Sequence, residues 1–244
     1  MIDKIEDNSK EEAWKLARKG KFTASASHRL LAKGKGEVFG AGAMSYINEV
    51  ACDAYTTFSD DGYEIYDMKM GKIMEPEIAA HYETAWGIEI TNLYGATNPH
   101  FEPDPYFPKD SGGSPDGIIR NNHGSISWGV EFKRPKKLTH WSYLTNIKDQ
   151  WDLKRLSEDG EKLKWADKLN SVASYYSQVQ KLMNIFKCDL WHWCSYNEYF
   201  PIRDRLLVIE IKPDKPFIDD LNVRVGIGIK RKYELLDRRK NPTM

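Results

Sequence analysis

The chain has 244 residues, 41% of them hydrophobic and 30% charged, and its 36 basic side chains balance 36 acidic ones. This length and composition suit one well-buried domain, so we expect residues 1–244 to form a single domain. A net charge of zero excludes a protein that holds nucleic acid through a uniformly basic surface, and any such contact has to rest on local clusters.

Two further features bear on where the protein works. The sequence has no run of about 18 apolar residues, and its start, Met-Ile-Asp-Lys-Ile-Glu-Asp, lacks the apolar segment of a signal peptide. The cysteines Cys52, Cys188 and Cys194 show no paired spacing, which is typical of a reducing compartment. We therefore expect a cytoplasmic protein with no membrane partner.

The first predicted elements are two helices near the N-terminus. Ser9 and Glu12 form a capping box, which predicts that a helix begins there and ends at Gly20. Thr23 or Ser25 is then predicted to start a second helix that runs through the following leucines.

Arg18 and Ser25 flank this helix start and suggest a phosphate site. A guanidinium is a forked donor that matches phosphate oxygens, and a helix N-terminus favours an anion. A helix-capping serine and a solvated arginine are the alternative interpretation of the same two residues.

Two more helices are predicted from apolar residues at helical spacing, over Ala43–Thr57 and Met68–Trp86, the second ended by Gly87. Pro76 lies inside the second, which predicts a helix that is kinked at Pro76 or begins there.

The segment Gly112–Pro135 is predicted to form a β-hairpin. Asp116 ends one strand, and Glu131 and Lys133 lie on the next. Since side chains alternate along a strand, Glu131 and Lys133 point the same way and Phe132 points into the opposite layer. Two acids and a lysine therefore converge on one face.

This convergence suits phosphodiester hydrolysis. Carboxylates are the ligands that a hard divalent cation prefers, and such a cation neutralises phosphate charge and lowers the pKa of the attacking water. Lys133 would orient that water or stabilise developing charge. The alternative is a surface hairpin whose charges are merely solvated.

Beyond the hairpin, a helical hairpin over residues 139–170 is predicted to bury Trp141, Trp151 and Trp165. A helix over 171–186 carries Gln178 and Gln180, which project about 200° apart, so only one of them faces the acids. Further strands are predicted over 88–93, 98–102, 189–196 and 205–211, and a final helix over 215–236.

Four stretches, in this order, resemble motifs of the lambda-type phage exonucleases and their YqaJ-like viral recombinase relatives. These proteins belong to the restriction-endonuclease-like, PD-(D/E)XK nucleases. The stretches are Trp14–Ser25 (Trp-x-x-x-Arg-x-Gly-x-x-Thr-Ala-Ser), Gly71–Glu75 (Gly-x-x-x-Glu), Pro115–Lys133 (Pro-Asp followed by Glu-x-Lys) and Gln178–Gln180 (Gln-x-Gln).

The resemblance implies an α/β (α+β) fold with a mixed central sheet flanked by helices. It also implies a metal-dependent 5′→3′ exodeoxyribonuclease that digests one strand of linear double-stranded DNA to mononucleotides and leaves a 3′ single strand for recombination. Relatives of this kind use Mg²⁺ or Mn²⁺, with two ions, form homotrimers and pass the remaining strand to an annealing protein.

Roles follow for individual residues. The resemblance implies that Asp116, Glu131, the main-chain carbonyl of Phe132 and Glu75 hold the metal, and that Lys133 and Gln178 complete the catalytic set. It assigns the DNA 5′-phosphate to Arg18, Ser25 and Thr23, and further DNA contacts to Trp14, Arg134 and Lys136.

Several alternatives stay open at this point. Glu77 competes with Glu75, and Gln180 competes with Gln178. The catalytic motif alone does not separate an exonuclease from a structure-specific endonuclease of the same fold, or from a catalytically silent DNA-binding domain.

Overall fold

The computed structural model describes residues 2–35, 37–57, 66–95, 98–158 and 172–240. Its α-helices, α1 to α8 in chain order, are Ile2–Arg18, Ala41–Tyr55, Tyr66–Trp86, Lys137–Asn146, Gln150–Glu158, Val172–Phe186, Ile202–Arg205 and Lys215–Lys240. Its strands, β1 to β8, are Phe22–Thr23, Asn92–Leu93, Glu102–Pro103, Ser111–Gly113, Gly117–Arg120, Ile126–Lys133, Trp191–Tyr196 and Leu206–Ile211. A 3-10 helix, Ala24–Leu31, follows β1. No helix within the described ranges has the length and apolar character needed to cross a bilayer.

The larger sheet has the strand order β2-β5-β6-β7-β8. β5 and β6 form the predicted hairpin, and its turn is built by Asn121, whose side-chain oxygen accepts from the main-chain N–H groups of His123 and Ser125. Gly124 has a φ of 78° in this turn, a conformation that glycine adopts without steric cost. β7 runs parallel to β6 and antiparallel to β8, so the sheet is mixed, as predicted.

Helices cover both faces of the larger sheet, because residues along β6 alternate between two cores. Val130 and Phe132 pack with Ile78 and Tyr82 of α3 on one face. On the other face, Trp193 of β7 lies in a core built largely by α4, α5 and α6. Glu131, the partner of Trp193 in the β6–β7 ladder, shares that second face.

A second, smaller sheet has the strand order β1-β4-β3. After α3 the chain passes between the two sheets twice, from β2 to β3 and from β4 to β5. Asp116 occupies the second of these connections, directly before Gly117 begins β5. Both connections border the cleft described below.

Several predicted boundaries were wrong. α1 begins at Ile2 rather than at the Ser9 capping box, because residues 2–8 contain no glycine or proline to stop the helix from extending. Thr23 occupies the predicted cap position, but the element that follows is a 3-10 helix and Thr23 makes no side-chain cap bond. Pro76 lies within α3, which does not begin there.

The strands before the hairpin are shorter than predicted. Only Asn92–Leu93 pairs with β5, whereas Ile90 is buried in the core and its N–H is held by the side chain of Glu83. Glu102–Pro103 pairs with β4 over two residues. A strand forms only where a partner ladder exists, and sequence pattern does not supply that information.

The prediction that the tryptophans after the hairpin are buried was also wrong. Trp141 and Trp151 are each 56% exposed, and Trp165 lies outside the described residues. On α4 the inward positions belong to His140, which bonds to Ser195, and to Tyr143, which packs edge-on against Trp193. Trp141 directly follows His140 and so projects away from the sheet.

Candidate active site

A cleft of about 600 Å³ lies where the N-terminal elements meet the end of the hairpin. Nine of the side chains singled out in the sequence line it. They are Trp14, Arg18, Thr23, Ser25, Glu75, Asp116, Glu131, Lys133 and Gln178. The four motifs, which are far apart in the sequence, therefore converge on one cavity.

The register of the hairpin puts the two central acids side by side. Gly117 pairs with Val130, so Asp116 lies beside Glu131 at the start of β5. The Oδ2 atom of Asp116 accepts a hydrogen bond of 2.6 Å from the main-chain N–H of Phe132. This bond ties the Asp116 carboxylate to the same strand that carries Glu131 and Lys133.

Glu131 is 1% exposed, and its two oxygens have different surroundings. Oε1 accepts from the Lys133 ammonium and from the Gln178 amide, whose Nε2 atom is 2.6 Å away. Oε2 is buried and has no hydrogen-bond partner within the described part of the chain. The protein thus satisfies one oxygen of this carboxylate and leaves the other without a donor.

Burial and mutual repulsion dominate the electrostatics of the pair. Burial, reinforced by the charge of Asp116, raises the pKa of Glu131 to about 8. Burial likewise raises the pKa of Asp116, although Lys133 and the N–H of Phe132 oppose the shift. Burial alone would lower the pKa of Lys133, but the charges of Glu131 and Asp116 raise it above its ordinary value. Lys133 is therefore a cation beside two carboxyl groups, and its positive charge stabilises the ionised form of each.

The two candidate glutamates of α3 have different environments. Glu75 lines the cleft, and its Oε2 atom lies directly against Gly95, so closely that a Cβ atom at that position would collide with it. Glu77 instead accepts a hydrogen bond of 2.8 Å from the hydroxyl of Tyr196 and does not line the cleft. Of the two, Glu75 is the one that lines the cleft with Asp116 and Glu131.

The glutamines of α6 separate in the same way. Gln178 bonds to Glu131, whereas Gln180 donates to the carbonyl of Lys212 at 3.0 Å and accepts from the N–H of Asp214 at 2.9 Å. Gln180 therefore joins α6 to the segment after β8 and takes no part in the cleft.

Arg18 and its neighbours form another part of the cleft lining. The Arg18 guanidinium carbon lies 4.1 Å from the centroid of the Trp14 ring, and Trp14 Nε1 donates to Ser114 at 2.9 Å. Burial lowers the pKa of Arg18, an effect partly opposed by Tyr46, and no carboxylate of the described residues pairs with it. A half-buried guanidinium with no carboxylate partner among the described residues is able to bind an anion.

Two predicted DNA contacts lie elsewhere. Arg134 forms a two-pronged ion pair with Glu198, with Nε to Oε2 at 3.2 Å, and does not line the cleft. Lys136 is exposed at the N-cap of α4.

The Phe132 ring packs against Tyr82 on the far face of the sheet, so only its main chain faces the acids.

Comparison with known families gives this cleft a context. Residues 13–189 match the model of the YqaJ-like viral recombinase domain. The chain belongs to that family. The predicted resemblance is thereby confirmed, and the matched range contains every residue found to line the cleft except Glu11.

Solved structures extend the comparison to the fold. The alkaline exonuclease LHK-Exo from Laribacter hongkongensis has a TM-score of 0.71 and 20% identity, over 95% of this chain and 97% of its own. The same enzyme in complex with dAMP gives 0.70 and 21%, over 94% and 97%. A phage-related exonuclease from Haemophilus somnus 129PT gives 0.60 and 15%, over 90% and 96%. No curated protein matches the chain. The shared fold and the YqaJ-like family together support a nuclease.

Sequence reasoning missed one wall of the cleft of this YqaJ-like protein. It is lined by Tyr94, Pro99, His100 and Phe101, from the connection between β2 and β3. In the sequence these residues are recognisable only as a cluster of aromatic rings near Gly95, and they do not belong to any of the four motifs.

The residues present fit a divalent cation. The buried Glu131 Oε2 atom lacks a hydrogen bond from the described residues, and Asp116 adds a second hard oxygen ligand, as Mg²⁺ and Mn²⁺ prefer. Among the described residues no three His, Cys, Asp or Glu side chains form a closed metal cluster. Main-chain, phosphate or water oxygens would therefore have to complete the coordination, as in a catalytic site that stays open to substrate.

Proposed function

We propose that this protein is a metal-dependent 5′→3′ exodeoxyribonuclease that degrades one strand of linear double-stranded DNA to mononucleotides. One observation carries the proposal: the pair Asp116 and Glu131, with Lys133, shares a single cleft with the half-buried guanidinium of Arg18, which no carboxylate of the described residues pairs with. Such a cleft has a hydrolytic end and an anion-binding end.

The hydrolytic end is built by the hairpin. Asp116 and Glu131 would hold Mg²⁺ or Mn²⁺ with the main-chain carbonyl of Phe132, and Glu75 would support them from α3. When bound, the cation neutralises charge on the scissile phosphate and lowers the pKa of the attacking water. We further propose two ions, which together would stabilise the attacking and leaving oxygens of the scissile phosphate.

Lys133 and Gln178 act on the same carboxylate. Both donate to Glu131 Oε1, which fixes the direction of Oε2. The Lys133 ammonium, held beside the acids by their charge, is suited to stabilise negative charge on the phosphate oxygens as the bond breaks. Its position over the Tyr175 ring, 5.1 Å from the centroid, limits where it moves.

The anion-binding end favours an exonuclease. A terminal 5′-phosphate carries more charge than an internal phosphodiester, and Arg18, with the hydroxyls of Thr23 and Ser25 3.3 Å apart, offers it a forked donor and two hydroxyls. An internal phosphate of continuous duplex would have no need of such a pocket.

The remaining parts of the proposal rest on family membership. The neighbour LHK-Exo has been crystallised with dAMP, a mononucleotide of the kind this reaction would release. By resemblance we further propose a homotrimer that leaves a 3′ single strand and passes it to an annealing protein during recombination.

A digestion assay tests the proposal. Linear duplex and covalently closed circle of the same sequence are incubated with the protein, with Mg²⁺ or with chelator. We expect consumption of the linear form alone, and only with Mg²⁺. Cutting of the circle would instead indicate an endonuclease, and no cleavage of either form would indicate a DNA-binding domain.

A further inference from the structure

The missed wall of the cleft is an ordered aromatic surface. The rings of Tyr94 and His100 stack with centroids 4.7 Å apart and an interplanar angle of 19°. The His100 Nε2 atom is 3.0 Å from Oε2 of Glu102, which holds the imidazole in place. Phe101 continues the wall and rests on Gly112 of β4, where a Cβ atom would collide with its ring.

This wall is fixed to the acid pair by the main chain. The N–H of Tyr94 donates to the carbonyl of Asp116 at 2.8 Å. The next residue, Gly95, has a φ of 156° and packs against the Glu75 carboxylate, so the chain passes close to the acids at this point. The main chain that carries the Tyr94 ring is thus hydrogen-bonded directly to a residue of the proposed hydrolytic end.

The cleft therefore has two chemically different kinds of lining. Acids, a lysine, an arginine and hydroxyls line it together with the stacked rings and the apolar side chains of Ile73 and Pro99. A nucleotide has the same division, with an anionic phosphate and a flat aromatic base. A cavity of about 600 Å³ has the volume to take one nucleotide unit.

We propose that the aromatic wall of Tyr94 and His100 binds the base of the 5′-terminal nucleotide, which leaves the duplex stack to enter the cleft. The proposal rests on the proposed exonuclease function and adds the base as a recognised part of the substrate. Stacking on rings accepts every base, because each base has a π face, so the wall supplies affinity without sequence preference. The base stacked there would help to place its own 5′-phosphate at Arg18 and the phosphodiester on its 3′ side at Asp116.

The test compares two DNA ends that differ only by a base. Both are 5′-phosphorylated duplexes whose terminal residue is unpaired: one ends in a mismatched thymidine and the other in an abasic tetrahydrofuran residue. Because neither end forms a terminal base pair, the ease of fraying is matched. Release of the first residue is followed in single turnover with Mg²⁺, and binding of each end is measured separately with chelator.

We expect the wild type to bind and process the abasic end on the order of tenfold less well, as loss of one base–aromatic stack predicts. Tyr94→Leu, which keeps apolar volume but removes the ring, should lose most of this discrimination. Tyr94→Phe, which keeps the ring, should retain it. Arg18→Ala should lower binding of both ends and leave the ratio between them unchanged.

Equal binding of the two ends by the wild type would overturn the inference, and so would full discrimination by Tyr94→Leu. These results differ from failure of the proposed function. Ordinary cleavage with equal use of both ends contradicts the base site alone. Absence of all cleavage contradicts the nuclease, and the chelator binding ratio then still decides whether the wall binds a base.

Discussion

Gln178 donates a hydrogen bond from Nε2 to Oε1 of Glu131 at 2.6 Å, which joins α6 to the centre of β6. Lys133 donates to the same oxygen, so that Oε1 is satisfied while Oε2 has no donor among the described residues. The bond therefore does more than hold a helix on a sheet. It orients a carboxylate so that one oxygen is left for a ligand.

The pair Gln178 and Gln180 gives a matched test of this arrangement. Gln178→Ala removes a group that orients a proposed metal ligand, and should lower the cleavage rate on the order of 10- to 100-fold. Gln180→Ala removes two hydrogen bonds, to Lys212 and Asp214, and should lower the free energy of unfolding by about 2 kcal/mol. Initial rates and urea unfolding of both variants measure the two effects.

We expect the larger loss of cleavage rate in Gln178→Ala, and a loss of stability without that loss of rate in Gln180→Ala. Each substitution removes the same amide from the same helix, so each is the control for the other. If Gln180→Ala lost as much activity per folded molecule as Gln178→Ala, the hydrogen bond to Glu131 would have no special role.

Asp116→Asn tests the proposed metal ligand. Asparagine keeps the shape and still accepts from the N–H of Phe132, but it lacks the charge that holds a divalent cation. We expect cleavage to fall on the order of 10³-fold or more, as for loss of a principal catalytic group. Mn²⁺ should raise the melting temperature of the wild type by mass action, and this rise should vanish in the variant.

The exposed Asp219, which pairs with Lys215 on α8, supplies the control, because Asp219→Asn removes a charge from a residue that does not line the cleft. It should keep both the rate and the Mn²⁺ effect. A wild-type rate in Asp116→Asn, with its fold verified by circular dichroism, would remove Asp116 from the site.

Much of this site followed from the sequence because its main features are local. Alternation along β6 put Glu131 and Lys133 on one face, and the helical angle between Gln178 and Gln180 required that only one of them face the acids. The order of the motifs indicated the fold. Short-range geometry of this kind survives tertiary packing.

The remainder depended on contacts between distant segments. Glu198, the partner of Arg134, follows a different strand, and the approach of Tyr94 to Asp116 depends on the path of the chain between two sheets. The exposure of Trp141 was missed for the same reason. His140 and Tyr143 took the inward positions on α4, and composition does not reveal which side of a helix meets the sheet.

Lys133→Ala tests charge stabilisation next to the acids. Removal of the ammonium should lower kcat on the order of 10²-fold, because it acts on charge that develops in the transition state, with a smaller effect on KM. Lys230→Ala, at an exposed position on α8, is the control and should match the wild type. Steady-state kinetics on a linear duplex separate the two constants, and an unchanged kcat would assign Lys133 a structural role only.

Arg18 and Arg29 make a second matched pair. Arg29 is bound by both oxygens of Glu49, whereas no carboxylate of the described residues pairs with Arg18. Arg18→Ala should reduce the preference for a 5′-phosphate over a 5′-hydroxyl end, and Arg29→Ala should leave it intact. Competition between the two ends in one reaction measures the preference, and its persistence in Arg18→Ala would move the phosphate pocket elsewhere.

The polarity of digestion tests the central claim most directly. A linear duplex is labelled on one strand, either at the 5′ end or at the 3′ end, and label release is followed with Mg²⁺ and with chelator. We predict early release of the 5′ label as a mononucleotide, late release of the 3′ label, and no release with chelator. Early release of the 3′ label, or equal release with chelator, would contradict a metal-dependent 5′→3′ exonuclease built on Asp116, Glu131 and Arg18.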